Sequence, residues 1–387
     1  MSLQKQLNVI SMSFLNRVLV VFLCFTLFAC DNSKPEFEAW HKKQKTKKGS
    51  EGESSLNSAD FYSTDLLIDK VYRSMQGPFE IKSVQVDAEK DELLWIVGYE
   101  SEVLQAESDV ALGADFMCHN NLDYAHPENL PWKLKTSGAN HRIFTLSQGQ
   151  SELKFPEGFG IPIPANQPLN MVSQVLNHHR PELFINTRHH AQLHYLKESE
   201  VKEEMTPLYQ QAVFVTKQID GSDGAHGLPL TCLPYHDHPD SSVKADVQHD
   251  CSIKYDEKAK YNPYEDEYGR KYTGHWVLPN EPETLSTDVS QMLDLKEDSR
   301  IHLISVHLHP FAEALELWDR TSDSLLYAAS FKKDSINFGF ESIDYYSSKT
   351  GIPVFKDHQY ELISAYHCTD TSDQHTAMAV MYLYLRD

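Results

Sequence analysis

The strongest constraint on the fold of this chain is the rhythm of its apolar residues. From Phe61 onward they recur at every second position in short runs, and no long segment carries a helical period. Candidate strands in the first half are Glu80–Val86, Glu92–Tyr99, Ala114–Leu122, His141–Ser147, Leu169–Asn177, Gln192–Leu196 and Gln211–Thr216. Turn-forming clusters such as Pro127-Glu128-Asn129 and Gly138-Ala139-Asn140 separate them. A second series follows: Gly274–Leu278, Ser286–Asp294, Ile301–His309, Ala312–Asp319, Leu325–Phe331, Tyr360–His367 and Ala377–Leu385. Short strands at this spacing build antiparallel sandwiches. The expected fold class is therefore all-β, with two β-sandwich domains in tandem over residues 61–217 and 272–387. Residues 218–271 between them are rich in Asp, Gly, Pro, His and Tyr. Cys232 and Cys251 bracket a short loop there, which predicts an insertion clipped by a disulfide worth about 3 kcal/mol.

The first 29 residues have the pattern of a targeting signal rather than of a fold. Lys5 and Arg17 are the charges ahead of an apolar stretch, Val18–Phe28, too short to span a bilayer comfortably. It ends in Leu27-Phe28-Ala29-Cys30, which resembles a bacterial lipoprotein signal. That resemblance makes Cys30 the lipidated residue and places the body in the cell envelope, anchored to a membrane and facing periplasm or exterior. An ordinary secretory signal cut nearby would export the body equally. Residues 30–60 are polar and lysine-rich, which predicts a flexible tether. Four of the six cysteines then remain for the exported body, with Cys118 and Cys368 left without an assigned partner.

A net charge of −21 argues against a nucleic-acid partner, because phosphate neutralisation needs a basic face. GxGxxG and P-loop motifs are absent. Twenty histidines against 35 lysines and arginines raise the prospect of a metal site. The clearest candidate is Ile301–Pro310, read as I-H-L-I-S-V-H-L-H-P. On a strand, His307 and His309 share one face, with rings close enough to grip one ion. A strand edge with two solvated histidines is the plainer alternative. Other histidine groups are Met117-Cys118-His119, Asn177-His178-His179, Arg188-His189-His190 with His194, and the C-terminal stretch around His375 and Met378. None has zinc-finger or HExxH spacing. Two imidazoles with a thioether suit copper, because soft sulfur stabilises Cu(I), whereas Met378 would otherwise be an ordinary core methionine. His236-Asp237-His238, in its polar loop, is expected to be an exposed turn.

In this order the pieces resemble the copper type II, ascorbate-dependent monooxygenases, the group of peptidylglycine α-hydroxylating monooxygenase and dopamine β-monooxygenase. The second half carries most of the likeness. Gly274-His275-Trp276-Val277-Leu278-Pro279, Asp288-Val289-Ser290-Gln291-Met292, Ile304 to His309 and Met381-Tyr382-Leu383-Tyr384 resemble successive family segments. The first half matches through Lys154 to Gly160 and Ser173 to His178. The resemblance covers roughly residues 65–216 and 272–387. It implies jelly-roll sandwiches that present two copper ions across a solvent cleft, with ascorbate or another reductant as co-substrate. His307, His309 and Met378 would hold the copper that activates oxygen for hydroxylating a C–H bond, with His375 the alternative third ligand. His119 and His178 would hold the electron-supplying copper, with His179 and Cys118 as alternatives. Tyr382 falls at a substrate-contact position. The family's His-His pair reads Cys118-His119-Asn120 here, so one imidazole is missing. The arginine that precedes H-x-H in the peptide-hydroxylating enzymes is Ser305, so a C-terminal glycine peptide is not implied. The competing expectations are a non-catalytic copper-handling lipoprotein and a metal-free interaction module. The chain is expected to act as a monomer on a small-molecule or peptide substrate.

Overall fold

The computed structural model describes residues 34–45, 55–72, 74–87, 92–135, 141–219, 261–372 and 374–386. The signal segment, Cys30, the Cys232/Cys251 pair and His236-Asp237-His238 lie outside the described residues. The described residues fall into two compact units, one of residues 34–45 with Pro131–Lys133, the other of those from 55 to Leu130 and from Leu134 onward.

The smaller unit holds helix α1, Phe37–Lys45. Phe37, Trp40 and His41 fall at helical spacing and share a face. Phe37 meets Trp132 edge-on with ring centroids 4.9 Å apart, and Trp40 lies 4.8 Å from the same ring. The segment 30–60, expected to be a flexible tether, is thus partly ordered: it contains α1 and the start of the first strand. The aromatic cluster supplies apolar burial that the lysine-rich composition conceals.

The larger unit is all-β and sandwich-like. Its first half supplies β1 (Asn57–Tyr62), β2 (Phe79–Val84), β3 (Leu93–Gln105), β4 (Met117–Tyr124), β5 (Arg142–Ser147), β6 (Phe159–Pro164), β7 (Leu169–Val175), β8 (Ile185–Lys197) and β9 (Thr206–Phe214). Its second half supplies β10 (Glu283–Asp288), β11 (Ser299–Leu308), β12 (Ala312–Asp319), β13 (Ser324–Ala328), β14 (Tyr346–Val354), β15 (Tyr360–Tyr366) and β16 (Ala379–Arg386). The long sheet runs β1-β8-β3-β6-β9-β16-β11-β14, with three short strands off this path. Two four-stranded sheets complete the layers, β2-β7-β4-β5 in the first half and β10-β15-β12-β13 in the second. Pairing is antiparallel except for the brief parallel join of β6 to β9.

Two features place the site. First, β9 belongs to the first half by sequence but pairs along its length with β16, the last strand, from Leu208 opposite Arg386 to Phe214 opposite Val380. The halves therefore share one continuous ladder. Second, alternation along each strand sorts side chains by face. In β8 Thr187, His189, Ala191 and Leu193 are buried, while Arg188, His190, Gln192 and His194 point outward. His190 pairs with Asp60 and Glu102, and His194 with Glu100, so both are surface ion-pair residues. His189 is a satisfied core histidine. Its Nε2–H donates to the Gln174 carbonyl at 3.2 Å, and its Nδ1 accepts from the Asn120 amide at 3.3 Å. Asn120 also donates to Ser173 Oγ and accepts from the Tyr99 hydroxyl, which ties the four-stranded sheet to the long one.

Leu383 is fully buried on β16 between β9 and β11. Leu383→Ala should cost about 2–5 kcal/mol. Because the ladder joins both halves, urea should unfold the variant and the parent in one transition reported alike by tryptophans of either half. Two separated transitions would mark the halves as independent sandwiches.

Candidate metal centre

The site begins with the ladder between β11 and β16. Ser305 lies opposite Tyr382, His307 opposite Val380 and Leu308 opposite Ala379. Directly opposed residues of an antiparallel pair project from the same face. The His309 amide donates to the Met378 carbonyl at 3.2 Å, which extends the same pairing by one step. Ser305, His307 and His309 therefore share a face with Tyr382, Val380 and Met378. His302, bulged out of the ladder between Ile301 and Leu303, packs tilted on Phe159 at 4.2 Å and donates Nδ1–H to the Ser348 carbonyl at 2.9 Å.

His307 and His309 are both buried, so the solvated strand edge is not what the structure has. Their ring centroids are 5.3 Å apart and nearly perpendicular. A third ring, His275, lies 5.0 Å from His309. Imidazoles that share an ion through bonds of ~2.0 Å hold their centroids roughly 3 Å from it and roughly 5 Å from each other. His309 Nδ1 lies 3.0 Å from the Thr376 carbonyl, so it carries the proton there. That leaves the lone pair on Nε2, which is buried with no hydrogen-bond partner in the protein, as is His307 Nδ1. An imidazole fixed by a carbonyl on one nitrogen and open on the other is the usual arrangement of a metal-ligating histidine. Burial, with the charge of His309 and Arg142, holds the His307 pKa down to about 3. Burial also holds that of His309 to about 4. Both are neutral, ligand-ready bases at pH 7.

Met378 is buried, and its carbonyl also accepts from the Tyr366 hydroxyl at 2.6 Å, which pins the backbone. His375 takes a different course. Its Nε2 donates to Asp370 at 2.8 Å, and its ring packs on Phe311 at 4.7 Å and on Phe338 at 5.4 Å. Register thus sets Met378, and not His375, across from His309. Phe311, just beyond the H-x-H strand, holds φ at +73°, a strained backbone for an aromatic residue. It is held there by its ring contacts and by the His367 amide on its carbonyl.

The first-half candidates separate. His119, on β4, is buried and lies opposite Ser147 and Gln174. Cys118, beside it, sits where the β4–β7 register shifts. Its thiol is free and buried, and burial pushes its pKa up to about 11, which disfavours the thiolate a metal needs. Cys368 is likewise a free, buried thiol. His178 is drawn toward the second half. Its pKa falls to about 3 through burial and then the charges of His309, His375 and His179. Among the described residues, no three His, Cys, Asp or Glu side chains form a metal-holding group; a set completed by a thioether is of another kind.

Two residues without a sequence signal complete the surroundings. Arg142 lies across from Asp123, beyond a bulge, on the same face as His119, Asn121, Thr145 and Ser147. It bonds Asp123 at 2.8 Å, pairs with Tyr382 and is close enough to depress His307. The polar face of the small sheet therefore meets the His307 face at Arg142 and Tyr382. His275 is the second, and its segment was legible only as part of the family resemblance.

Buried neutral histidines also make stability depend on pH. His189 titrates at about 4 in the fold because of burial, against 6.5 for an open imidazole. The folded pKa is depressed, so its contribution is complete above pH 6.5 and declines as pH falls toward 4. On this count alone the loss is on the order of 3 kcal/mol. Urea midpoints should fall over that window. In His189→Gln the slope should be smaller by up to one proton; an unchanged slope would remove His189 as a source.

No protein-family model matches this chain, and no curated protein does. Among solved structures, the STIV MCP aligns at 7% identity over 86% of this chain and 97% of its own, with a TM-score of 0.31. The PBSX exported protein XepA aligns at 9% identity over 84% and 86%, with a TM-score of 0.20. The ANXUR2 extracellular domain from Arabidopsis thaliana aligns at 8% identity over 84% and 89%, with a TM-score of 0.18. Likenesses this loose assign neither family nor activity.

Proposed function

We propose that this chain is an exported, lipid-anchored copper monooxygenase of two sandwiches, hydroxylating a C–H bond with O2 and a reductant such as ascorbate. The observation that carries the reading is His309, buried, fixed through Nδ1 to the Thr376 carbonyl and open at Nε2 on the face it shares with His307 and Met378. Two imidazoles and a thioether fit copper in both oxidation states, because nitrogen serves Cu(II) and sulfur serves Cu(I). Copper bound there would supply the one-electron and oxygen chemistry. The protein's part is to hold the ligands and exclude water. Thr376 orients His309, and the ladder to β16 sets Met378 across from it. Arg142, neutralised by Asp123, and Tyr382 form a buried polar wall beside His307, suited to orienting a polar part of the substrate.

A second reading, a copper-binding protein without turnover, is favoured by one observation. The expected first-half ligand pair is reduced to His119 beside a Cys118 thiol that burial keeps protonated. Metal analysis and oxygen uptake separate the two. The purified chain should bind copper and consume O2 with ascorbate. His307→Ala should lose about one copper and nearly all uptake, and Met378→Leu should lose Cu(I) affinity ahead of Cu(II) affinity. Copper binding without any uptake would favour the second reading. Full uptake in His307→Ala would exclude this centre from the chemistry.

A further inference from the structure

His178 and His375 come from opposite halves of the chain and line one small cavity of about 20 Å³ with Tyr72, Ser74 and Thr376. That volume holds a single water or a single ion. Phe338 packs against both imidazoles, at 6.4 Å from His178 and 5.4 Å from His375. His178 Nε2 is buried with no hydrogen-bond partner in the protein. His375 donates Nε2–H to Asp370, which leaves its lone pair on Nδ1. A carboxylate behind a histidine is the arrangement that fixes a ligating imidazole and raises its basicity. Asp370 is itself held by the Ser372 amide at 2.9 Å and the Ser372 hydroxyl at 2.6 Å.

We propose a second metal site in this cavity, held by His178 Nε2 and His375 Nδ1 across the join of the two halves, with Asp370 orienting His375. It takes a borderline divalent cation. Two imidazoles with hydroxyl and water oxygens and no sulfur suit Cu(II) and Zn(II), with Cu(II) the tighter. The site differs in kind from the His307/His309/Met378 face, whose thioether favours Cu(I). His178 thereby finds its partner in the second half rather than at His119. Nothing in this inference depends on oxygen chemistry at His307.

The test is Zn(II) and Cu(II) binding to the full, metal-stripped chain in detergent, by equilibrium dialysis and by the thermal midpoint. His178→Gln and His375→Gln should each remove the same single Zn(II) and abolish the Zn(II)-induced rise in midpoint. Asp370→Asn should weaken that ion by roughly 10–100-fold without removing it. His307→Gln should leave it bound, and any ion lost there bears only on the oxygen reading. Circular dichroism of each variant controls for folding. The proposal is overturned if Zn(II) stoichiometry is unchanged in both His178→Gln and His375→Gln. It is equally overturned if His178→Gln and His119→Gln remove one shared ion that His375→Gln retains.

Discussion

The site depends on the antiparallel ladder between β11 and β16. It runs from Ile301 opposite Leu385 to Leu308 opposite Ala379, and the His309 amide on the Met378 carbonyl carries it one residue beyond. A slip of one residue would turn His307 and His309 to the face that Val306 and Leu308 now occupy. Register is fixed by burial: Ile301, Leu303, Ile304 and Val306 are all inside, as are Met381, Leu383 and Leu385 facing them. The same β16 pairs on its other side with β9, so the strand that supports the H-x-H pair also ties the halves together. The candidate site and the join of the halves rest on one set of backbone hydrogen bonds.

That ladder carries polar groups at an energetic cost. A buried hydrogen-bonding atom left without a partner costs about 1–3 kcal/mol. Such atoms include His307 Nδ1 and His309 Nε2 on one facing surface, and Asn121 Oδ1, Thr145 Oγ1 and Ser147 Oγ on the other. His189, equally buried, has both ring nitrogens engaged. His307 and His309 thus each keep one ring nitrogen open, as His302 does through Nε2, whereas both nitrogens of His189 are engaged.

Much of the fold was legible because period-two patterning and turn residues are local signals. β5, β7, β12 and β15 fall within a few residues of their expected spans. β6 escaped notice because Pro162 and Pro164 argue against a strand, yet its antiparallel partner β3 accepts them opposite Trp95 and Leu93. β14, with Gly351 and Pro353, escaped for the same reason. Ser286–Asp294 was read as one strand but breaks after Asp288 into the short helix α2, Ser290–Leu293, whose Met292 and Leu293 are buried. In the site, spacing on one strand pointed to His307 and His309, whereas Met378 was legible only through the family resemblance, with His375 as its alternative. Arg142, Asp370 and His275 could not be found that way, because their relation to the site is set by which sheet faces which.

The histidines of the two halves also differ in their surroundings. His119 sits within the small sheet beside a protonated thiol, whereas His178 leaves β7 and reaches the region of His309 and His375. A donor set is defined by convergence, and the sequence order of its members gives no distance between them. Around His309 lie the His275 and His307 imidazoles, with Met378 paired across the backbone. Around the cavity the groups are imidazoles, hydroxyls and a carboxylate one bond removed. Those sets differ in softness, and softness selects both metal and oxidation state. The two candidate sets lie close to one join, and each draws on residues beside the last strands of the chain.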